Sequence, residues 1–212
     1  MAAKSKEEVV QEFRMQSIQE ATMKVIARKG MAAATMQEIA EEAGVAKGTL
    51  YLYFRDRDEL VEKTFENAMT QLHERIDTAL AGEGTIEEKL RQVIVAKFKF
   101  FEDHREFFRL YMSLRIPEGN PAQQRRQKRT CQPQYRARAD QLVGVLEDAM
   151  KRGEIRELDP RRLALLFIEG TNAIVIERIM EESAPPAAGD VELIASTLFD
   201  GIGIRKSKRS TH

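Results

Sequence analysis

Apolar residues recur at spacings of three and four along most of the chain, and no stretch alternates apolar with polar long enough to make a strand. The clearest run is Val191, Ile194, Ala195, Leu198, Phe199 and Ile202, a continuous stripe on one side of a helix. Interruptions are scarce, with 12 glycines and 6 prolines in 212 residues. Ala, Leu, Glu, Lys, Arg, Gln and Met dominate, residues that lose little freedom on entering a helix. The sequence therefore predicts an all-α fold, and it carries no internal repeat of 20–50 residues.

Side chains able to satisfy the free amides of a helix start mark where the helices begin. Thr35-Met36-Gln37-Glu38 is a capping box, with a hydroxyl at the cap and a carboxylate three residues on. Thr85 to Glu88 repeats it, and Asp56 to Glu59 does so with a carboxylate cap. Asp159 precedes Pro160, a residue suited to the first helical position, and Asp190 precedes the last apolar run. Gly30, Gly82, Gly84 and Gly153 mark stops, as do the breaks around Pro117 and around Pro185 and Pro186. Together these predict about nine helices, over 6–29, 35–43, 46–54, 57–81, 85–103, 104–116, 122–152, 160–182 and 190–204. The stretch 117–134 reads as a loop or a frayed helix start. The expected organisation is a three-helix N-terminal domain over 1–56, a larger helical domain over 57–204 and a disordered basic tail over 205–212.

Hydrophobic residues are 42% and charged residues 32%, the balance of a soluble globular chain. Thirty-four Lys and Arg offset 34 Asp and Glu, so the molecule as a whole has no basic coat. No run approaches the roughly 18 apolar residues that span a bilayer. The first residues, MAAKSKEEVVQ, contain no apolar signal core, and the lone Cys131 cannot form an internal disulfide. The expectation is a cytoplasmic protein without a membrane partner. His73, His104 and His212 are scattered, and no nucleophile motif, phosphate loop or metal-ligand spacing is present. No catalytic residue, metal or cofactor is expected.

The stretch Thr35 to Phe54, TMQEIAEEAGVAKGTLYLYF, is the most informative. Met36, Ile39 and Ala40 share one face of a short helix, and Ala43-Gly44-Val45 makes a tight turn. Leu50 and Phe54, four apart on the next helix, reach the same core. Lys47, Gly48, Thr49, Tyr51 and Tyr53 then lie on the outer face. Two short helices crossing over a glycine turn form a helix-turn-helix, whose second helix enters the major groove of DNA. Lys47 suits a base edge or a phosphate, the two tyrosines suit phosphate oxygens or thymine methyls, and Arg55 and Arg57 flank the next helix start. Residues 1–60 hold nine Lys or Arg against ten Asp or Glu, so binding must depend on a few aimed cations. The alternative is a helical module that binds a small molecule or a protein, without specific DNA binding.

GVAKGTLYLYFRDRDEL, following AATMQEIAEEA and an amphipathic first helix, resembles the TetR (tetracycline-repressor-like) family of bacterial transcriptional regulators, most strongly over about residues 12–72. The resemblance implies an N-terminal DNA-binding domain and a C-terminal ligand-binding and dimerisation domain. It also implies a ligand-responsive regulator, a repressor acting as a homodimer on a palindromic operator. By position, Lys47, Gly48, Thr49, Tyr51 and Tyr53 match the family's recognition-helix contacts, and Thr35 matches its phosphate contact on the second helix. Three positions depart from the pattern. Ala46 stands where serine is frequent, Met31 where an aromatic is common, and Arg57 where lysine is frequent, which alters the geometry of that phosphate contact.

In the C-terminal body, the helix from Arg161 to Met180 is apolar on more than one side. Leu163, Leu166, Phe167, Gly170 and Ile174 read as one face, Ile168, Val175 and Ile179 as another. Such a helix is buried from two directions, either wholly within one subunit or between its core and a dimeric four-helix bundle, for which Gly170 and Ala173 allow close approach. Phe98, Phe101, Phe108, Tyr111 and Met112, with Phe65 and Met69 one turn apart, form an aromatic and methionine-rich group. Together with Phe167 and Asn172 these are the candidates for binding an unknown small-molecule effector, with ordinary core as the other reading. Arg125, Arg126, Lys128, Arg129, Arg136 and Arg138 form a basic run that contains Cys131.

Overall fold

A computed structural model describes residues 5–115, 121–181 and 187–202, and within these the side chains of 114–135 and of residue 202 fall outside the description. The described residues contain helices and no β-strand. The helices are α1 (Lys6–Lys29), α2 (Met36–Glu42), α3 (Lys47–Tyr53), α4 (Arg57–Ala81), α5 (Ile86–Asp103), α6 (Arg105–Arg115), α7 (Pro121–Lys151), α8 (Pro160–Met180) and α9 (Ala188–Ile202).

The expected caps are in place. The Thr35 hydroxyl accepts from the Glu38 amide, and the Glu38 carboxylate reaches back to the Thr35 amide at 3.1 Å. Thr85 and Glu88 do the same at the start of α5. Asp159 accepts from the Arg162 amide at 3.0 Å. Asp56 accepts from the Glu59 amide at 2.8 Å, but Glu59 reaches back to the amide of Arg55 and not to the cap itself. Ser5 and Glu8 close a further box at the start of α1. Two expectations change. The region 117–134 is helical from Pro121 onward, as part of α7. Helix α9 starts at Ala188, so Asp190 lies inside its first turn, where its carboxylate accepts from Arg178 at 2.6 Å. The tail 205–212, Cys131 and the basic residues from Arg125 to Arg129 lie outside the described side chains.

The chain forms two compact units, and they do not divide at residue 56. The first comprises residues 1–73 and 103–116, the second 74–102 and 117–212. The first unit contains α1 to α3, most of α4, and α6. Its core is built from one face of each helix: Ile18, Val25 and Ile26 of α1, Ile39 of α2, Leu50 of α3 and Leu60 of α4. Each such side chain contributes about 1.5–3 kcal/mol on removal from water. Helix α2 packs on both α1 and α3, and α6 packs on α1. Ring stacking joins α4 to α6, with Phe65 lying parallel to Tyr111 at 4.0 Å between centroids.

In the second unit α8 packs against α7 and α9. The α5 face formed by Leu90, Val93, Ile94, Phe98 and Phe101 is buried. Glu154 accepts from the Ile86 amide at 2.7 Å, tying the turn after α7 to the start of α5. The expected faces of α8 are redrawn. Leu163, Ala164, Phe167, Thr171, Val175, Arg178 and Ile179 are buried, whereas Leu166 and Gly170 are exposed. Leu166 and Gly170 are therefore not on the side of Leu163 and Phe167. Steps of four from Leu163 stay close to the inward face, and a step of three to Leu166 swings outward.

Candidate nucleic-acid interface

The helix-turn-helix is built from backbone outward. Gly44 adopts φ 67°, a left-handed conformation that glycine takes without a Cβ penalty. That turn lets the Val45 amide donate to Ala40 at 2.9 Å and the Gly44 amide to Glu41 at 3.1 Å, which closes α2. Helix α3 then begins at Lys47, with Ala46 at its N-cap, whose side chain makes no capping bond. Leu50 is fully buried and Phe54 nearly so, which fixes the rotation of α3 about its axis.

With those two residues inward, Lys47, Gly48 and Tyr51 face solvent, and Thr49 and Tyr53 are half-buried at the edges of the same surface. Sequence reasoning missed Leu52, which is 81% exposed. Its signal was available: at about 100° per residue it sits nearly opposite Leu50. A large apolar side chain held in water at the centre of a groove-sized helix suits contact with a thymine methyl.

The cations around this surface are mostly engaged. Arg28 pairs with Glu42 at 3.1 Å, Arg55 with Asp56 at 2.9 Å, and Lys29 with Glu38. Lys29 is the main reason that the Glu38 carboxyl lies below its usual range, with the Thr35 hydroxyl next. Lys47 makes no ion pair among the described residues. Thr35 is exposed, but its hydroxyl donates to Glu38 at 3.0 Å. Arg57 points away from the role expected of it. One guanidinium nitrogen donates to the Met31 carbonyl at 2.9 Å and to the Ala32 and Ala34 carbonyls at 3.4 Å, and the other donates to Asp58 at 3.2 Å. The side chain ties α4 to the loop between α1 and α2.

The candidate effector residues are divided between the two units. Phe65, Met69, Phe108, Tyr111 and Met112 belong to the first. There Phe108 and Tyr111 are buried, Phe65 meets Phe108 edge-on at 5.9 Å, and the Tyr111 hydroxyl lies 3.5 Å from Glu62. Phe98, Phe101, Phe167 and Asn172 belong to the second, where the three rings are buried. Asn172 accepts a hydrogen bond from Lys97, a residue that sequence reasoning passed over. Lys97 is only 8% exposed. Its signal was its phase: it falls in the same helical register as Leu90, Val93, Ile94 and Phe101. Of the basic run, Arg136 is exposed and Arg138 lies 4.0 Å from Asp77.

Residues 18–64 match the sequence profile of the bacterial regulatory proteins of the tetR family. The fatty acid metabolism regulator protein of Bacillus subtilis (strain 168) is 32% identical over 153 residues, 72% of this chain and 76% of that protein. The solved structure of the transcriptional regulator FadR from Bacillus subtilis in complex with stearoyl-CoA is 26% identical at a TM-score of 0.67, covering 88% of this chain and 98% of that one. The fatty acid degradation regulator FadR from Bacillus halodurans shares the fold at a TM-score of 0.67 and 22% identity, over 88% and 98% of the two chains. The profile spans the two short helices with their outward lysine and tyrosines, and the similarity to the first relative continues far beyond them, so the chain belongs to the TetR family of bacterial transcriptional regulators.

Proposed function

We propose that this ligand-responsive, DNA-binding regulator acts in the cytoplasm as a homodimeric repressor on a palindromic operator, and that its effector is a fatty acyl compound such as an acyl-CoA. The observation that carries the DNA-binding reading is the rotation of α3. Burial of Leu50 and Phe54 leaves Lys47, Tyr51 and Leu52 facing outward on one short helix. Lys47, Gly48, Thr49, Tyr51 and Tyr53 make the base and phosphate contacts in this reading. Thr35 contributes once its hydroxyl leaves Glu38, and Arg57 holds the loop beneath them. The acyl class rests on the two Bacillus subtilis similarities, a fatty acid metabolism regulator and a structure holding stearoyl-CoA.

Dimerisation is supported by the outward face of α8. Leu166, Gly170, Ala173, Ile176 and Met180 form an exposed stripe with small residues at its middle. Leu166 is 72% exposed, and Leu193 on α9 is also exposed. One short helix reads about four base pairs, so two copies related by symmetry are needed to select a site. Helix α4 contributes residues to both units, which makes it the element through which an effector shifts the balance between operator-competent and released states.

Selection of bound duplexes from a random pool gives the operator. Palmitoyl-CoA is then expected to release it, and Lys47→Ala to weaken specific binding by about 1–3 kcal/mol. Equal operator affinity with and without saturating palmitoyl-CoA overturns the acyl reading. A pool from which no sequence is enriched overturns specific DNA binding and leaves the helical binding module.

A further inference from the structure

We propose that Lys97 of α5 and Asn172 of α8 form the polar pole of the effector site, a pair of hydrogen-bond donors that takes the oxygen end of an acyl ligand, either a carboxylate or a thioester carbonyl. The inference rests on the acyl class of effector proposed above.

Among the described residues, the second unit contains two buried cations, and they are treated differently. Arg178 is 8% exposed and is fully answered: it donates to Glu102 at 2.7 Å and to Asp190 at 2.6 Å, and it lies over the Phe98 ring at 5.7 Å. Lys97 is equally buried, yet its hydrogen-bond acceptor among the described residues is the neutral amide of Asn172. Glu169, three residues before Asn172 on α8, supports the ammonium charge electrostatically, but burial outweighs it and brings the Lys97 pKa down to about 8. A leucine at this position would continue the apolar face of α5 without that cost. A buried lysine that meets a neutral amide in place of a carboxylate is a candidate ligand group.

The donor arithmetic indicates what the ligand offers. An ammonium has three N–H donors and no acceptor, so the group that meets it on Asn172 must be the amide oxygen. The remaining polar group of Asn172 is then its NH2. Lys97 with hydrogens to spare and Asn172 with its NH2 present donors only, and their complement is an oxygen acceptor, best a charged or strongly polarised one. The sequence around them is apolar. Phe98 and Phe101 follow Lys97 in α5, and Phe167 precedes Asn172 in α8, all three buried. A ligand with one oxygen-bearing end and a long hydrocarbon body matches that distribution.

Calorimetric titration of the full-length protein with palmitate and with palmitoyl-CoA tests this. The wild type is expected to bind at least one of them. Lys97→Met, which keeps the bulk of the side chain and removes its donors, should weaken that binding roughly 10- to 100-fold, the range for one charge-assisted hydrogen bond. Asn172→Ala should weaken it in the same direction, and Lys97→Arg should restore part of what Lys97→Met loses. The probe whose affinity falls identifies the source of the oxygen, free acid or thioester. Circular dichroism verifies the fold of each variant, and the half-buried Asn172 carries the test if Lys97→Met fails to fold. Wild-type binding with both Lys97→Met and Asn172→Ala within threefold of it overturns the inference and leaves the acyl reading intact. Wild type that binds neither probe overturns the acyl reading and the inference with it.

Discussion

The guanidinium of Arg57 ends among the carbonyls of Met31, Ala32 and Ala34, acceptors that lie in the loop between α1 and α2. A lysine ammonium could serve these carbonyls from its single nitrogen, but it has no second nitrogen with which to hold Asp58 at the same time, as the guanidinium does. Arg57→Ala is expected to lower stability by about 2 kcal/mol in urea unfolding. A variant that unfolds with the wild type would return Arg57 to the role of a phosphate contact. At this scale the sequence shows residue type and helical phase, but not partners. Lys47 was readable as outward because Leu50 and Phe54 set the phase. Arg57 was not, because its acceptors are backbone groups more than twenty residues away.

Lys97 has a pH consequence of defined sign. Its folded-state pKa, about 8, lies below the ordinary lysine value of 10.5 because burial disfavours the charged form. Between those values the unfolded chain holds the proton and the folded chain has released it, so stability rises with pH across that window. Below pH 8 both states are protonated and the full cost of burying the charge is present. The difference in unfolding free energy between wild type and Lys97→Met should therefore move in favour of the wild type by about 3 kcal/mol from pH 8 to 10.5. Referring each point to the variant cancels groups that titrate in both. A flat difference would show that the ammonium is as well solvated as an exposed one.

Among elements, helix positions were legible because their caps are local. Thr35 with Glu38 and Thr85 with Glu88 each place donor and acceptor three residues apart, so spacing alone reveals them. The faces of α8 were not legible, because a helix apolar on several sides leaves its rotation to tertiary packing. The structure turns Leu163, Phe167 and Val175 inward and Leu166, Gly170 and Ala173 outward. A Cβ added at Gly170 would meet nothing within 4 Å. Gly170→Glu should thus be harmless to the protomer, and should even favour its helix by roughly 0.5–1 kcal/mol. In the proposed dimer it buries an unpaired carboxylate at the closest approach of two helices. Sedimentation is expected to show a folded monomer, and an intact dimer would place the interface elsewhere.

For the whole molecule, equal numbers of acidic and basic residues mean that attraction to DNA depends on a few side chains and not on a general field. With Lys47 as the cation that each protomer brings to a phosphate, the logarithm of operator affinity should fall against the logarithm of salt concentration with a slope of roughly −2. A slope near zero would contradict phosphate contact. The division of the chain into units was the least legible feature. Helix composition changes little at the boundaries, and the assignment of α6 to the first unit depends on its packing against α1, some ninety positions away by sequence number.

That assignment also sets an order of events during synthesis. Helix starts sealed by neighbours three residues away can form as soon as they leave the ribosome, since they wait for no distant contact. The first unit differs: α6 and the Tyr111 ring that stacks on Phe65 emerge only after all of α5 has been made. The nascent reading head is therefore assembled in outline early and locked late, and a polypeptide interrupted before residue 105 would carry a recognition helix on an unfinished support.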